Sequence, residues 1–313
     1  MSELMHNIDG RTRLAGTNKL EILMFSLGLD ARSGRTETFG INVFKVREVM
    51  RAPEITRAPD MPDAVRGMVS LRGALVPVLD LVRYTGVAND AAPEVMIVTE
   101  YNGRTQGLLV AGVDTILRLD WSKMRVPPAM LAQKMGGLIT AVTELGDGRL
   151  VMMMDVEKVL ADAGGQEDQD VFNHLRPMQG SERTVFFADD SSTARKQIER
   201  TLDALGLRHL HALNGRQAWD DLQRLADQSA ARGEAFNQHV HLVLTDVEMP
   251  EMDGYMLTKH IKSDPRFKGI PVLMHSSLSG ESNHQLGLSV GVDGYVAKFE
   301  PQRLADTLVR MLA

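Results

Sequence analysis

Three aspartates could form one chemical site at the ends of two predicted strands. Asp189 and Asp190 follow the apolar run 184–188, and Asp246 follows the apolar run 242–245. Ligands of open parallel sheets gather beyond the carboxyl ends of the strands, so we expect these side chains to converge. Three close carboxylates repel one another unless a cation lies among them. A hard divalent ion, Mg²⁺ by preference, suits such oxygen ligands and usually brings a phosphate with it.

Two further groups complete this predicted site. Ser276 offers a hydroxyl at the end of the fourth predicted strand, and Lys298 offers an ammonium at the end of the fifth. Together with Asp246 as a nucleophile, they are the parts needed to form an acyl phosphate and to balance its charge. Taken singly, each group has a plainer explanation: an aspartate can cap a helix, a lysine can be solvated, and a serine can sit in a turn. The combination at four strand ends favours a phosphoryl-acceptor site.

The elements that must position these groups alternate along the second half of the chain. Apolar runs predict strands covered on both faces at 184–188, 242–245, 271–274 and 294–297, and a weaker strand is predicted at 208–213. Apolar residues at helical spacing predict helices at 191–205, 216–231, 255–262, 281–290 and 301–312. Five strands alternating with five helices predict a doubly wound, flavodoxin-like α/β sheet.

The first half has a different rhythm, with short strands separated by turns from residue 20 to about residue 160. Three turn signals predict hairpins: Arg72-Gly73, Asn102-Gly103 and Asp147-Gly148. Only the stretches 43–50 and 156–161 are predicted to be helical. This pattern predicts an all-β sandwich or a pair of small barrels. Since no catalytic set of side chains assembles there, we expect a binding module rather than an enzyme.

Composition excludes several classes of protein. The 313 residues leave room for about two domains. The net charge is −6 without any long run of Lys or Arg, which argues against nucleic acid as a partner. Cysteine is absent, which excludes disulfides and Cys-ligated zinc. No apolar stretch reaches the roughly 20 residues of a membrane span, so we expect a soluble cytoplasmic protein without direct membrane insertion.

The first half contains a set of motifs in a fixed order: Leu71-Arg72-Gly73, the block Val76-Pro77-Val78-Leu79-Asp80-Leu81 and the final hairpin at Asp147-Gly148. With these motifs it resembles the CheW family of chemotaxis coupling proteins. The resemblance implies two five-stranded β-barrels, a groove for the cytoplasmic tip of a chemoreceptor (a methyl-accepting chemotaxis protein), and a surface for the histidine kinase CheA. Arg72 would then face the receptor, whereas its sequence context alone indicates only an exposed turn. Residues 28–37 are longer and more polar than the usual turn of that family, and we expect a solvated loop.

The second half resembles the CheY-type receiver domains of two-component signalling. The matching residues, in order, are Asp189-Asp190, Asp246, Met249-Pro250, Met252-Asp253-Gly254, Ser276, Gly294-Tyr295 and Lys298. The resemblance implies that Asp246 is the phospho-acceptor and that Asp189, Asp190 and Asp246 hold Mg²⁺ together with the backbone carbonyl of Glu248. Ser276 would be the switch hydroxyl and Tyr295 the switch aromatic residue, while Lys298 would assist catalysis.

Two features depart from the receiver pattern. Lys298 is followed by Phe299-Glu300-Pro301, whereas most receivers place proline directly after this lysine, so the geometry of the loop is open. Residues 226–239 are additional sequence between the second helix and the third strand, to which we assign no role.

The predicted organisation is a tail at 1–19, a coupling domain at 20–161, a linker at 162–183 and a receiver at 184–313. The linker is polar and aperiodic, and about 20 flexible residues would span roughly 25 Å. Phe172 and Leu175 within it have the spacing of one helical turn, which could dock the linker onto one domain.

A CheW-like module followed by a receiver resembles CheV-type chemotaxis coupling proteins. This implies a cytoplasmic adaptor at membrane-associated chemoreceptor arrays, without enzymatic activity beyond the ability of a receiver to dephosphorylate itself. Its receiver would take a phosphoryl group from a phosphohistidine of CheA and thereby regulate coupling during adaptation. Two alternatives stay open: a phosphate sink for CheA, and a constitutive scaffold with a silent receiver.

Overall fold

The structure is a computed structural model that describes residues 19–57, 61–87, 93–101, 104–164, 172, 174–178, 182–277 and 287–313. The chain divides into two compact units, with the division between residues 165 and 166. Each unit is described by itself below. No helix of the described part is long and apolar enough to cross a membrane.

The first unit consists mainly of two five-stranded sheets. Its strands are β1 (Lys19–Ser26), β2 (Thr38–Asn42), β3 (Val46–Arg51), β4 (Val65–Leu71), β5 (Ala74–Asp80), β6 (Val95–Tyr101), β7 (Arg104–Val110), β8 (Gly112–Asp120), β9 (Ile139–Glu144) and β10 (Leu150–Met154). The strand orders are β8-β1-β2-β10-β9 and β3-β6-β7-β5-β4. This arrangement is consistent with the predicted CheW-like pair of five-stranded units. Among the described residues of this unit, three short α-helices accompany the sheets: α1 (Leu81–Thr85), α2 (Ala129–Lys134) and α3 (Val156–Gly164).

The three predicted hairpins are confirmed by antiparallel pairing of β4 with β5, β6 with β7, and β9 with β10. Arg72 and Gly73 both have positive φ, 49° and 85°, as a two-residue turn matched to the strand twist requires. The Asn102-Gly103 turn lies outside the described residues, although Tyr101 and Arg104 on either side of it are paired.

The helix predicted at residues 43–50 is wrong. One 3-10 turn, Val43–Lys45, leads directly into strand β3, which pairs with β6 through partners such as Val49 and Ile97. The β-branched valines favour an extended backbone, and the available edge of β6 decides between the two conformations. Helices α1 and α2 were not predicted, because helices of five and six residues are too short to produce a periodic pattern.

The long polar segment 28–37 is an exposed loop, as predicted. Its ends approach each other at a bridge between Asp30 and Arg35. The Asp30 carboxylate accepts the backbone N–H of Ser33 at 3.0 Å, which stabilises the turn without help from the core.

The second unit is built on one parallel sheet with strand order β12-β11-β13-β14-β15. Its strands are β11 (Thr184–Ala188), β12 (Arg208–Ala212), β13 (Leu242–Thr245), β14 (Val272–Ser276) and β15 (Gly294–Ala297), and its helices are α4 (Ser192–Ala204), α5 (Gly215–Ala231), α6 (Gly254–Ser263) and α7 (Pro301–Leu312). The doubly wound prediction is confirmed. Of the helix predicted at 281–290, residues 287–289 are helical, residue 290 is a turn, and residues 281–286 lie outside the described residues.

Both faces of this sheet are covered by buried apolar side chains, which explains the uninterrupted apolar runs. Phe187 and Leu244 pack with residues of α4 and α7, whereas Phe186 and Val243 pack with residues of α5 and α6. The backbone ladder and this double cover fix where each strand ends, and therefore where its terminal polar residue emerges.

Phe172 and Leu175 belong to the core of the second unit. The guanidinium of Arg200 lies 4.0 Å from the centre of the Phe172 ring, a cation–π contact. Part of the predicted linker is therefore docked on the receiver-like unit, as its apolar spacing suggested.

The additional sequence 226–239 also contributes to packing. Helix α5 continues through it to Ala231, and a 3-10 turn, Phe236–Gln238, follows. The buried Phe236 ring meets the Phe267 ring edge-on at 4.8 Å between centroids. The segment therefore extends the core between α5 and the connection that follows α6.

Candidate functional site

The three predicted aspartates meet at the carboxyl edge of the parallel sheet. Ligand oxygens of Asp189, Asp190 and Asp246 all lie within 4.8 Å of one another. Strands β11 and β13 are neighbours, with Ala188 paired to Thr245, so the residues that follow both strands emerge side by side. Asp189 and Asp246 are buried, and Asp190 is half-buried. Like charges this close require compensation by a cation.

Helix capping does not explain Asp189 or Asp190. Ser191 is the N-cap of α4, and its hydroxyl accepts the N–H of Ala194 at 3.3 Å. One carboxylate oxygen of Asp189 accepts the N–H of Ser191 at 2.9 Å, which orients this side chain toward the sheet edge.

The loop after β13 holds Asp246 in place. Its Oδ1 accepts the N–H of Val247 at 2.6 Å. Asp253 caps helix α6 by accepting the N–H of Met256 at 2.7 Å. A Cβ atom on Gly254 would lie 2.0 Å from the Asp246 carbonyl oxygen, so only glycine permits this close return of the chain.

Lys298 lies between two of the aspartates. Its Nζ is 2.9 Å from Asp189 Oδ2 and 2.9 Å from Asp246 Oδ2, and its side chain is 1 % exposed. An ammonium this deeply buried is found only where opposite charges surround it. The explanation of Lys298 as a solvated surface lysine is therefore excluded.

Ser276 and Tyr295 are in contact with each other. Ser276 is the last residue of β14 and is fully buried. Its side chain hydrogen-bonds to the Tyr295 hydroxyl. Burial raises the pKa of Tyr295 to about 12, with further contributions from the charges of Asp246 and Glu248, so the phenol is neutral at physiological pH.

Lys298 is hydrogen-bonded to the neighbouring strand through its backbone, although the sequence that follows it departs from the usual receiver pattern. The Lys298 N–H donates to the Ser276 carbonyl at 3.0 Å, which continues the pairing of β14 with β15. Phe299 then adopts a left-handed backbone with φ 61°, and no peptide bond of the described residues is cis. The main-chain contact therefore positions Lys298 without a proline after it.

Sequence analysis did not connect Arg195, Tyr255 or the side chain of Glu248 with the site. The Glu248 side chain is buried, and its charge contributes to the raised pKa values of Tyr255 and Tyr295, for which burial is the main cause. Arg195 donates from Nη1 to the Asp189 carbonyl at 2.8 Å. Only the position of Glu248 two residues after Asp246 hints at proximity, whereas Tyr255 and Arg195 lie on helices whose orientation the sequence does not specify.

The donor set fits a hard divalent cation. Carboxylate oxygens from three side chains within one small volume are ligands that Mg²⁺ accepts, and thiolate donors are absent because the chain has no cysteine. Receiver domains generally bind Mg²⁺ through such acidic residues.

Arg72 belongs to the first unit and takes no part in the aspartate cluster. It lies in the β4–β5 turn, where its Nη2 is 2.9 Å from Glu48 Oε2 on β3. The Arg72 side chain remains 70 % exposed, so most of its guanidinium faces solvent.

Two family models match the chain in sequence order. Residues 22–164 match the CheW-like domain, and residues 185–309 match the response regulator receiver domain. The chemotaxis protein CheV3 of Helicobacter pylori is 30 % identical over 282 residues, which cover 88 % of this chain and 88 % of that protein. The chain belongs to the CheV family. CheV2 of the same organism is 29 % identical over 327 residues, and the match covers 99 % of this chain and 100 % of that protein.

One similar solved structure covers part of this CheV family member. The chemotaxis protein CheY4 of Vibrio cholerae is 28 % identical, and the match covers 42 % of this chain and 100 % of that chain with a TM-score of 0.36. CheV family membership makes the chain a chemotaxis adaptor that carries a receiver domain.

Proposed function

We propose that this CheV family member couples chemoreceptors to the histidine kinase CheA and that phosphorylation of Asp246 regulates the coupling. The observation that carries the proposal is the position of the buried Lys298 ammonium between Asp189 and Asp246, 2.9 Å from each. Two anions and one cation in this arrangement are suited to accept a phosphoryl group and to balance its charge.

The proposed chemistry is phosphotransfer from a phosphohistidine to the Asp246 carboxylate. The P–N bond to the donor breaks while a P–O bond to Asp246 forms, and the leaving imidazole takes up a proton. Mg²⁺, held by Asp189, Asp190, Asp246 and the backbone carbonyl of Glu248, would supply charge neutralisation for the phosphoryl oxygens. Lys298 would pair with a phosphoryl oxygen once the Asp246 carboxylate has become an acyl phosphate.

The proposed switch involves Ser276 and Tyr295. A phosphoryl group on Asp246 offers new acceptors for the Ser276 hydroxyl, which now bonds to the Tyr295 hydroxyl. Competition for this hydroxyl would change the environment of Tyr295 and the surface around β14 and β15. The buried contact between the two residues supports this role.

The test is transfer of radiolabelled phosphate from phosphorylated CheA to the wild type and to Asp246→Asn. We expect label on the wild type and none on the variant. Absence of label on the wild type, or equal label on both, would contradict the proposal. The lifetime of the label separates the alternatives: rapid turnover supports the phosphate sink, a long lifetime supports regulated coupling, and no label supports a constitutive scaffold.

The coupling surface is proposed to include Arg72. Its exposed guanidinium at the β4–β5 turn is available to an acidic partner, which would replace the Glu48 ion pair. Arg72→Ala should reduce recovery of receptor and CheA in pull-down experiments. Arg47→Ala is a matched control, because Arg47 is also exposed and also pairs with a glutamate, Glu100. Equal recovery of partners by Arg72→Ala and wild type would remove Arg72 from this surface.

A further inference from the structure

Arg195 occupies an unusual position for a cation. It lies in the first turn of α4, where the helix dipole places partial positive charge, and that turn contains no acidic residue. Cations are disfavoured there, so a specific interaction should compensate. The half-buried guanidinium of Arg195 makes that interaction by donating from Nη1 to the Asp189 carbonyl at 2.8 Å.

This hydrogen bond completes a set of contacts around Asp189. The side chain of Asp189 accepts from the Ser191 N–H at 2.9 Å and pairs with Lys298 at 2.9 Å. Its carbonyl belongs to the planar peptide unit that links Asp189 to Asp190. A donor fixed on this oxygen therefore sets the orientation of the peptide plane, and with it the direction in which the Asp190 side chain leaves the backbone.

We propose that Arg195 is a positioning residue for the cation site. It holds the Asp189–Asp190 peptide so that both carboxylates face Asp246, and it acts through the backbone without donating to a ligand oxygen. The inference rests on the proposed function, because that function has the aspartates bind Mg²⁺. In metal sites generally, loss of such an outer partner lowers metal affinity by about 10- to 100-fold.

Simple electrostatics makes the opposite prediction. A guanidinium near the aspartates repels a divalent cation, so its removal alone would tighten Mg²⁺ binding. The sign of the change in affinity therefore separates a positioning role from a mere charge effect.

The experiment is calorimetric titration of Mg²⁺ into full-length wild type, Arg195→Met, Arg195→Lys and Lys196→Met. Lys196 is the next residue on α4 and is exposed, so its variant loses the same charge without losing a contact to Asp189. We expect Arg195→Met to bind Mg²⁺ about tenfold more weakly than wild type and Lys196→Met to stay within about twofold. The Mg²⁺ affinity of Arg195→Lys should lie between those of Arg195→Met and Lys196→Met, because a lysine ammonium can replace only part of the contact that the guanidinium makes.

Unchanged or tighter Mg²⁺ binding by a folded Arg195→Met protein, checked by circular dichroism, would overturn the inference. If Arg195→Met does not fold, the Mg²⁺ affinity of Arg195→Lys is the test. An affinity equal to that of wild type would also overturn the inference. A wild type that binds no Mg²⁺ at millimolar concentration would remove the proposed cation site together with this inference. If the wild type binds Mg²⁺ and Arg195→Met binds it equally well, only the inference fails.

Discussion

At the scale of single residues, the candidate site is a balance of buried charges. Asp189 and Asp246 share the Lys298 ammonium, and the half-buried Asp190 adds a third carboxylate. Removing one member of such a group leaves the others without compensation, which costs more than the net contribution of the intact group to folding. The same imbalance would allow a cation or a phosphoryl group to change the stability of the unit.

Lys298→Met should destabilise the second unit by about 3 kcal/mol in the absence of Mg²⁺, because two buried carboxylates lose their shared cation. Adding Asp246→Asn should restore part of the loss, since one of the repelling charges is then gone. Urea unfolding at pH 7 measures both effects. Lys268→Met, at an exposed lysine, is the control and should be nearly neutral. A double variant no more stable than Lys298→Met would contradict the charge-balance explanation.

At the scale of elements, the close return of the chain after β13 is the tightest constraint near the site. Helix α6 starts at Gly254, directly against the Asp246 carbonyl. Alanine normally stabilises a helix relative to glycine by about 1 kcal/mol. Here the added Cβ would meet backbone at 2.0 Å, so the preference should reverse.

Gly254→Ala should therefore lower the free energy of unfolding of the second unit by about 2 kcal/mol, because the helix or the Asp246 loop must move. Urea unfolding measures the loss, and phosphate transfer to Asp246 should decline in parallel. Gly146→Ala is the control, since a Cβ there meets nothing within 4 Å. A stabilised Gly254→Ala variant would show that the loop adjusts freely.

The packing of α5 against α6 predicts a pH dependence. The His260 ring stacks on Trp219 at 5.0 Å, and burial, followed by the charges of Arg216 and Lys259, lowers the pKa of His260. The unfolded chain therefore binds a proton at a higher pH than the folded chain does, so stability is present above about pH 6.5 and falls as the pH is lowered further. The free energy of unfolding, measured at pH 7.5 and at pH 5.5, should differ less between the two pH values for His260→Gln than for wild type. An equal difference would assign the pH dependence to other groups.

At the scale of the whole molecule, each unit has its own core, and part of the connecting segment belongs to the second one. Phe172 is buried against the α4 and α7 side of the parallel sheet, under the Arg200 guanidinium. The receiver-like unit therefore begins structurally before β11, and a boundary placed at the first strand would cut through its core.

Phe172→Ala in the full chain should destabilise the second unit by about 3 kcal/mol, because a buried aromatic ring and its cation–π contact are lost. The chain has two tryptophans, Trp121 in the first unit and Trp219 in the second, so Trp219 fluorescence in a Trp121→Phe background follows the second unit alone. Phe44→Ala, in the first unit, should leave this transition unchanged. No shift in the Trp219 transition of Phe172→Ala would mean that the contact contributes little.

Much of the fold and the core of the site followed from the sequence by itself. Short apolar runs that alternate with helical patterns predicted the strands of a parallel sheet, and the aspartates that follow two of these strands were expected to meet at one edge. Turn residue pairs such as Arg72-Gly73 predicted the hairpins of the first unit, and the positive φ of both residues in the structure agrees with that prediction. The strands and turns are local features, because the residues that determine them are adjacent in the chain.

Tertiary structure decided the features that depend on neighbours distant in sequence. The edge of β6 made residues 46–51 a strand rather than a helix. Packing of α4 brought Arg195 onto the Asp189 carbonyl, and the β14–β15 register buried Lys298 more than 100 residues away from Asp189. No local pattern encodes such contacts, because they arise only when separate elements pack against each other. The sequence therefore determined that the carboxylates and Lys298 gather at one edge of the sheet, and the packed structure determined that Lys298 is buried between Asp189 and Asp246 and that Arg195 binds the Asp189 carbonyl.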